Sequence, residues 1–204
     1  MSTPQNPIER SPAPPVLEET AIALIHLRQT ILPKRLAAPG PSPEQLRRIL
    51  AAAAAAPDHG ELLPWRFVQV SEAARASLAD AFETALIERD PAVLAAQREQ
   101  AREKAFRAPL LLLAIARLDP QAEIPEVERL VSAGCAIQNM LLVATAQGFG
   151  SALTSGKAMQ SQTLRALFRL EPHEQALCFI SIGTPQRAKA QRVRPEVERY
   201  FSVL

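Results

Sequence analysis

Aromatic side chains are scarce in this chain of 204 residues: one tryptophan, one tyrosine and seven phenylalanines, 4% in all. That is too few for the stacking platform that single-stranded nucleic acid asks for. Charge of one sign is lacking as well. Lys and Arg alternate with Asp and Glu, the formal net charge is +2, and no basic block forms, so electrostatics make no case for DNA or RNA. Only two cysteines occur, Cys135 and Cys178, in apolar runs without CxxC spacing; they read as buried, reduced thiols. No N-terminal run resembles a signal peptide, and no uninterrupted apolar run reaches the ~18 residues that span a bilayer. The cytoplasm is the expected location, with no membrane partner. His26 and His173 lack a Cys, His or Glu at coordinating spacing, which argues against a metal site. Walker A, GxSxG and HExxH sequences are all missing, so kinase and hydrolase chemistry have no motif.

What is present is a hydrophobic fraction of 48%, rich in Ala and Leu, in a length that suits one domain with a sizeable core. Residues 1–16, rich in Pro and Ser, read as a disordered or draped arm. Apolar spacing predicts a helix over Leu17–Arg28, and the prolines of the following linker forbid its continuation. Ser42-Pro43-Glu44-Gln45 is a capping box opening a second helix, with Leu46, Ile49, Leu50 and Ala53 on one face. Trp65–Val70 alternates as a strand. Helices are expected over Glu72–Arg89 and from Pro91 to about Phe106, the latter charged enough to lie on the surface or to lid a site. Pro109–Leu118 is short and continuously apolar, as in a buried strand. Pro125–Gln147 is the longest helix, apolar on nearly every side from Leu130 onward, and so belongs in the core or a subunit interface. Gly148–Gly156 reads as a Gly/Ser/Thr-rich loop, Thr163–Leu170 as a short helix, and Ala176–Ile182 as a third strand ended by Gly183-Thr184-Pro185. Many helices and few strands, without βαβ alternation, give an α+β fold with one small sheet covered on both faces.

Three places offer chemistry. Arg28 with Thr30 can grip a phosphate, the guanidinium by a two-pronged charge-assisted bond; the alternative is an exposed helix end. Asp58 and His59 form a turn after the proline that ends an alanine-rich helix. It is either a ligand-contacting turn or a solvated one in which Asp58 caps backbone N–H groups. The glycine-rich loop can bring N–H groups to a ligand, but its spacing is not GxGxxG and no strand precedes it.

Together these pieces resemble the FMN-dependent nitroreductase family over roughly residues 20–186. The resemblance is carried by Arg28-Gln29-Thr30 with Lys34-Arg35-Leu36, by APDHGELLPWRF from Ala56 to Phe67, by Ser132–Gly150, by Thr154-Ser155-Gly156, and by Ile182–Pro185. It is strongest toward the small subgroup with an APDH motif. The family's first motif is usually Arg-Arg-Ser, so Arg28 and Thr30 are implied to hold the FMN phosphate, with Gln29 in place of an arginine. His59 is implied to contact the flavin. The third motif, usually Trp-Arg-Thr/Ser-Gly, reads Leu153-Thr154-Ser155-Gly156, keeping Ser155 and losing the Trp and Arg. Lys34 and Arg35 are candidates for the flavin N1/O2 edge, and no residue is assigned as a catalytic acid or base.

The resemblance implies a nitroreductase-like α+β fold over 17–186, with a small antiparallel or mixed sheet flanked by helices. It also implies an intertwined homodimer whose two flavin sites draw on both chains, and a basic tail, 187–204, that wraps the partner. The implied activity is transfer of hydride from NAD(P)H through FMN to a nitroaromatic, quinone or similar small acceptor. The alternatives are a flavin-binding dimer with little or no reductase activity, acting as binder or sensor, and a degenerate homologue with a structural role.

Overall fold

The computed structural model describes residues 15–190 and 192–204. The arm expected over 1–16 therefore lies outside the described residues except for its last two, which already belong to helix α1, Pro15–Leu27. The linker then makes a 3-10 turn, Pro33–Arg35, and a two-residue strand, β1, Leu36–Ala37. Helix α2, Pro43–Ala53, starts at Ser42. The Ser42 hydroxyl accepts from Gln45 N while the Gln45 side chain accepts from Ser42 N, so the capping box closes as the sequence indicates.

Strand β2, Trp65–Gln69, leads to α3, Arg75–Arg89, and α4, Ala95–Glu103. Strand β3, Leu110–Arg117, is buried on both faces up to its last residue. After it come α5, Glu126–Ala146, then β4, Gly150–Thr154, α6, Gln162–Leu167, and β5, Glu174–Pro185. All strand pairs are antiparallel. The path runs β1-β5-β3-β2, and β4 also pairs with β5.

Two expectations change. The glycine-rich stretch is not a loop throughout, because its middle five residues are β4, laddered on β5 from Gly150↔Gly183 to Thr154↔Phe179. Gly183-Thr184-Pro185 does not end the last strand either. It continues β5, and Thr184 and Pro185 pair with β1.

Side-chain alternation on β3 sorts the core into two layers. Leu110, Leu112 and Ala114 face Ile49 of α2 and Ala133, Ile137 and Met140 of α5. Leu111, Leu113 and Ile115 face Leu78 of α3 and Leu164 of α6. On β5, Cys178, Ile180 and Ile182 join the first layer and Ala176 and Phe179 the second. The three-residue step from Ala176 to Phe179 is made by a bulge opposite Ala114 and Ile115. Phe179 is then boxed edge-on by Phe82 at 5.5 Å and Phe168 at 5.9 Å. The sheet is thus covered on both faces.

Helix α5 is long and apolar enough to cross a membrane by length and composition alone. Its Ala133, Ala136, Ile137, Met140 and Ala144 are nevertheless buried against the sheet and α2, as in a core helix. Its other face carries exposed Val127 and Val131.

Candidate functional site

The first motif is sewn to the sheet where α1 runs out. Arg28 N still donates to Leu24 O at 3.1 Å; the chain then straightens, and Thr30 makes a parallel bridge with Ser151 of β4. Ile31 N donates to Ser151 O at 2.8 Å. The tail returns to the same place. Gln186 N donates to Arg35 O, Lys189 Nζ to Thr30 O at 2.8 Å, and an Arg194 Nη to Arg28 O at 3.4 Å. Arg28, Lys34, Arg35, Lys189 and Arg194 therefore assemble along one edge, and none has a carboxylate within ion-pair distance among the described residues. Gln29 Oε1 and Ser151 Oγ are buried beside this edge without hydrogen-bond partners among the described residues. An anion with hydroxyl donors suits such a set: cations for the charge, orphaned oxygens for the hydroxyls.

The third motif sits one strand-length away. Leu153 ends outward on β4, 44% exposed, opposite Ile180. Thr154, Ser155 and Gly156 line a cavity of about 730 Å³ together with Lys34. An apolar floor of Phe82, Leu86, Met159 and Phe179 closes it, and α4 forms one wall through Gln97, Gln100 and Ala101. The charged helix α4 borders this cavity.

The His59 turn is elsewhere. Asp58 Oδ2 accepts from Leu63 N at 2.8 Å, so Asp58 takes the backbone-capping role. The tight path puts Gly60, Glu61 and Leu63 all at positive φ. His59 Nδ1 meets Glu128 Oε2 at 2.9 Å, both exposed. With the Glu128 carboxylate as acceptor, the Nδ1–H tautomer of His59 is the donor in that bond. Glu128 was not among the sequence candidates; its one signal is its place in the first turn of the long helix.

This turn lies where β3 ends and β5 begins, with Arg117 N donating to Pro64 O and Leu118 N to His173 O. The triplet lies where β5 ends. At about 1.5 Å per residue, about 27 Å of α5 separates Glu128 from Ala146. Within one chain the fold brings Arg28, Gln29, Thr30 and Lys34 to the β4 side, near Thr154 and Ser155, and leaves His59 at the far end of the sheet.

Near that far end, Glu174 is nearly fully buried and held at 2.6 Å by both Nε and Nη2 of Arg66. Foremost through those bonds, Arg66 holds the Glu174 carboxyl below the usual range. Burial pushes the Cys178 thiol up to about 11, so it is no nucleophile at neutral pH. Among the described residues, no three His, Cys, Asp or Glu side chains converge as a metal site.

The profile of the Nitroreductase family matches residues 28–184, from the first motif to the end of β5. The chain belongs to the nitroreductase family. It is 36% identical over 155 residues to the Escherichia coli (strain K12) protein named "Putative NAD(P)H nitroreductase YdjA", covering 74% of this chain and 82% of that one. A Haemophilus influenzae protein named "Putative NAD(P)H nitroreductase" is 37% identical over 161 residues, 78% of this chain and 85% of that one. Among solved structures, a nitroreductase-like family protein from Bacillus cereus superposes with a TM-score of 0.79 at 18% identity, covering 90% of this chain and 95% of its own. That likeness establishes the fold. As a nitroreductase-family member, the protein is an oxidoreductase.

Proposed function

We propose that the protein is a homodimeric, FMN-dependent NAD(P)H oxidoreductase that reduces a nitroaromatic, quinone or similar small acceptor in the cytoplasm. The observation that carries this reading is the edge where Arg28, Lys34, Lys189 and Arg194 gather without carboxylate partners among the described residues, beside a cavity with an apolar floor. Bound FMN would supply the two-electron chemistry. Arg28 and Thr30, backed by Lys189 and Arg194, would hold its phosphate. Gln29 Oε1 and Ser151 Oγ would accept from hydroxyls of its sugar chain. Lys34 and Arg35 would place positive charge at the N1/O2 edge, and Leu153, Thr154 and Ser155 would border the ring. No side chain of the chain is assigned a proton transfer.

His59 enters through a second copy. It points outward from the opposite end of the sheet, so a partner running antiparallel along α5 would carry its own His59 turn to this edge. The exposed apolar residues support such a pairing: Val127 and Val131 on α5, Ile22 and Ile25 on α1, and Phe201 in the tail. Each site would then hold the phosphate with one chain and meet the flavin with His59 of the other.

The second reading, a flavin binder with little reductase activity, is favoured by Gln29 where the family carries an arginine and by the absent Trp-Arg of the third motif. A visible spectrum of the purified protein, followed by anaerobic NADPH and NADH, separates the two. Yellow protein that bleaches supports the enzyme, and yellow that persists supports the binder. Protein that stays colourless with added FMN sinks both. Arg28→Ala should weaken FMN retention by about tenfold or more, since a hydrogen bond to a charged group contributes about 1.5–3 kcal/mol. Undiminished flavin after dialysis of that variant would refute the phosphate assignment.

A further inference from the structure

We infer that the cavity between α3, α4 and the segment after β4 selects NADPH over NADH, through a cationic lining that holds no Asp or Glu among the described residues. This rests on the nicotinamide-dependent reading above and adds the identity of the reductant.

Along the chain positive and negative residues interleave to a net +2, but the cavity departs from that balance. Lys34, Arg89, Lys104, Arg107 and Lys157 line it, and no Asp or Glu among the described residues does. They are not neighbours in sequence. Lys34 comes from the turn before β1, Arg89 from the last turn of α3, Lys104 and Arg107 from the end of the α4 segment, and Lys157 from the turn after β4. The fold, and not a basic run, makes the cluster. Of the five, only Arg107 has a carboxylate nearby, Glu103 at 3.5 Å on the same helical segment. The other four line the cavity with no ion-pair partner among the described residues.

The two dinucleotides differ by one 2′-phosphate, and that decides what a site must supply. A site for NADH commonly reads the ribose 2′-hydroxyl with a carboxylate, whereas a site for NADPH surrounds the phosphate with Arg or Lys. This cavity lacks the first and has the second. The flavin phosphate is already provided for by Arg28, Lys189 and Arg194 at the neighbouring edge, and Lys34 borders both. Arg89, Lys104 and Lys157, with Arg107 beside its Glu103 partner, then remain for a second anionic ligand. The floor of Phe82, Met159 and Phe179 leaves room for a flat ring beneath them, and about 730 Å³ is ample for part of a dinucleotide.

Calorimetric titration of the purified full-length protein with 2′,5′-ADP and with 5′-AMP tests the inference without any electron transfer. The expected result is about tenfold tighter binding of 2′,5′-ADP, the size of one charge-assisted contact. In Arg89→Gln/Lys104→Gln that preference should shrink to about twofold or less, with flavin content and circular dichroism unchanged. Lys157→Gln, on a different segment, should reduce it on its own. Equal binding of the two fragments by the parent overturns the inference, as does a double variant that keeps the preference. So does one that loses flavin instead, which would assign these cations to the flavin phosphate. A protein that discriminates between the fragments yet never bleaches with NADPH would sink the oxidoreductase reading and leave the binding preference standing.

Discussion

Glu174 opens β5 nearly fully buried, and both of its oxygens are taken: Oε1 by Arg66 Nε and Oε2 by Arg66 Nη2 and the backbone N–H of Glu171. Arg117 adds charge at 3.8 Å. Removing the carboxylate charge leaves Arg66 under-paired at a half-buried position. Glu174→Gln should cost about 1–3 kcal/mol at neutral pH, less than for a fully buried pair because Arg66 keeps some water. The sign with pH follows from the lowered carboxyl. Its contribution is complete above the unfolded value, about 4.3, and is lost as pH falls through the folded value. The Tm gap between parent and variant should therefore be flat from about pH 6 to 8 and close below about pH 4. A gap that persists in acid would mean the loss is one of shape and not of charge. Some of this scale was legible in the sequence. Capping, one of two roles open to Asp58, is the one the structure shows. The partners of the singled-out residues were not legible. Glu128 against His59, and Lys189 and Arg194 against the triplet, are pairs 69 to 166 residues apart that only the folded chain creates.

At the scale of elements, local chemistry served well where it was self-contained. Ser42 to Gln45 closes its own capping box, β3 is buried because it is all apolar, and α5 keeps close to its expected limits. It failed where a neighbour decides. GFGSALTSG has loop composition, yet β5 offers Gly150–Thr154 a free edge, and ladder bonds outweigh the weak strand preference of Gly and Ser. Likewise Gly183-Thr184-Pro185 has the composition of a strand end and is held extended by β1. Gly183 is needed there for space. An added Cβ would stand 2.7 Å from the Pro109 ring and 3.1 Å from Ala37 O, neither of which can swing aside. Gly183→Ala should destabilise by about 1–3 kcal/mol, read as a lower urea midpoint with an unchanged slope. A midpoint equal to the parent's would show that the strand end shifts freely.

The molecule as a whole keeps much apolar surface outside. Helix α1 buries no residue, α5 shows Val127 and Val131, and the tail ends in exposed Tyr200 and Phe201. A domain with a complete two-layer core needs no such surface for its own folding. In the proposed dimer it is the contact between copies. Val131→Lys would place a charge in the middle of that contact. Sedimentation should then report a monomer, and flavin should be lost together with the partner. A monomeric variant that keeps its flavin would confine the whole site to one chain.

The distance between the His59 turn and the Arg28 edge reaches beyond biophysics into heredity. Suppose Arg28→Ala and His59→Ala each inactivate the enzyme. In a mixed dimer of the two, one site inherits both lesions and the other inherits neither. Two null alleles should therefore complement: chains co-expressed in equal amounts should pair at random and recover about a quarter of parental activity. The same two substitutions in one chain would recover none when expressed alone.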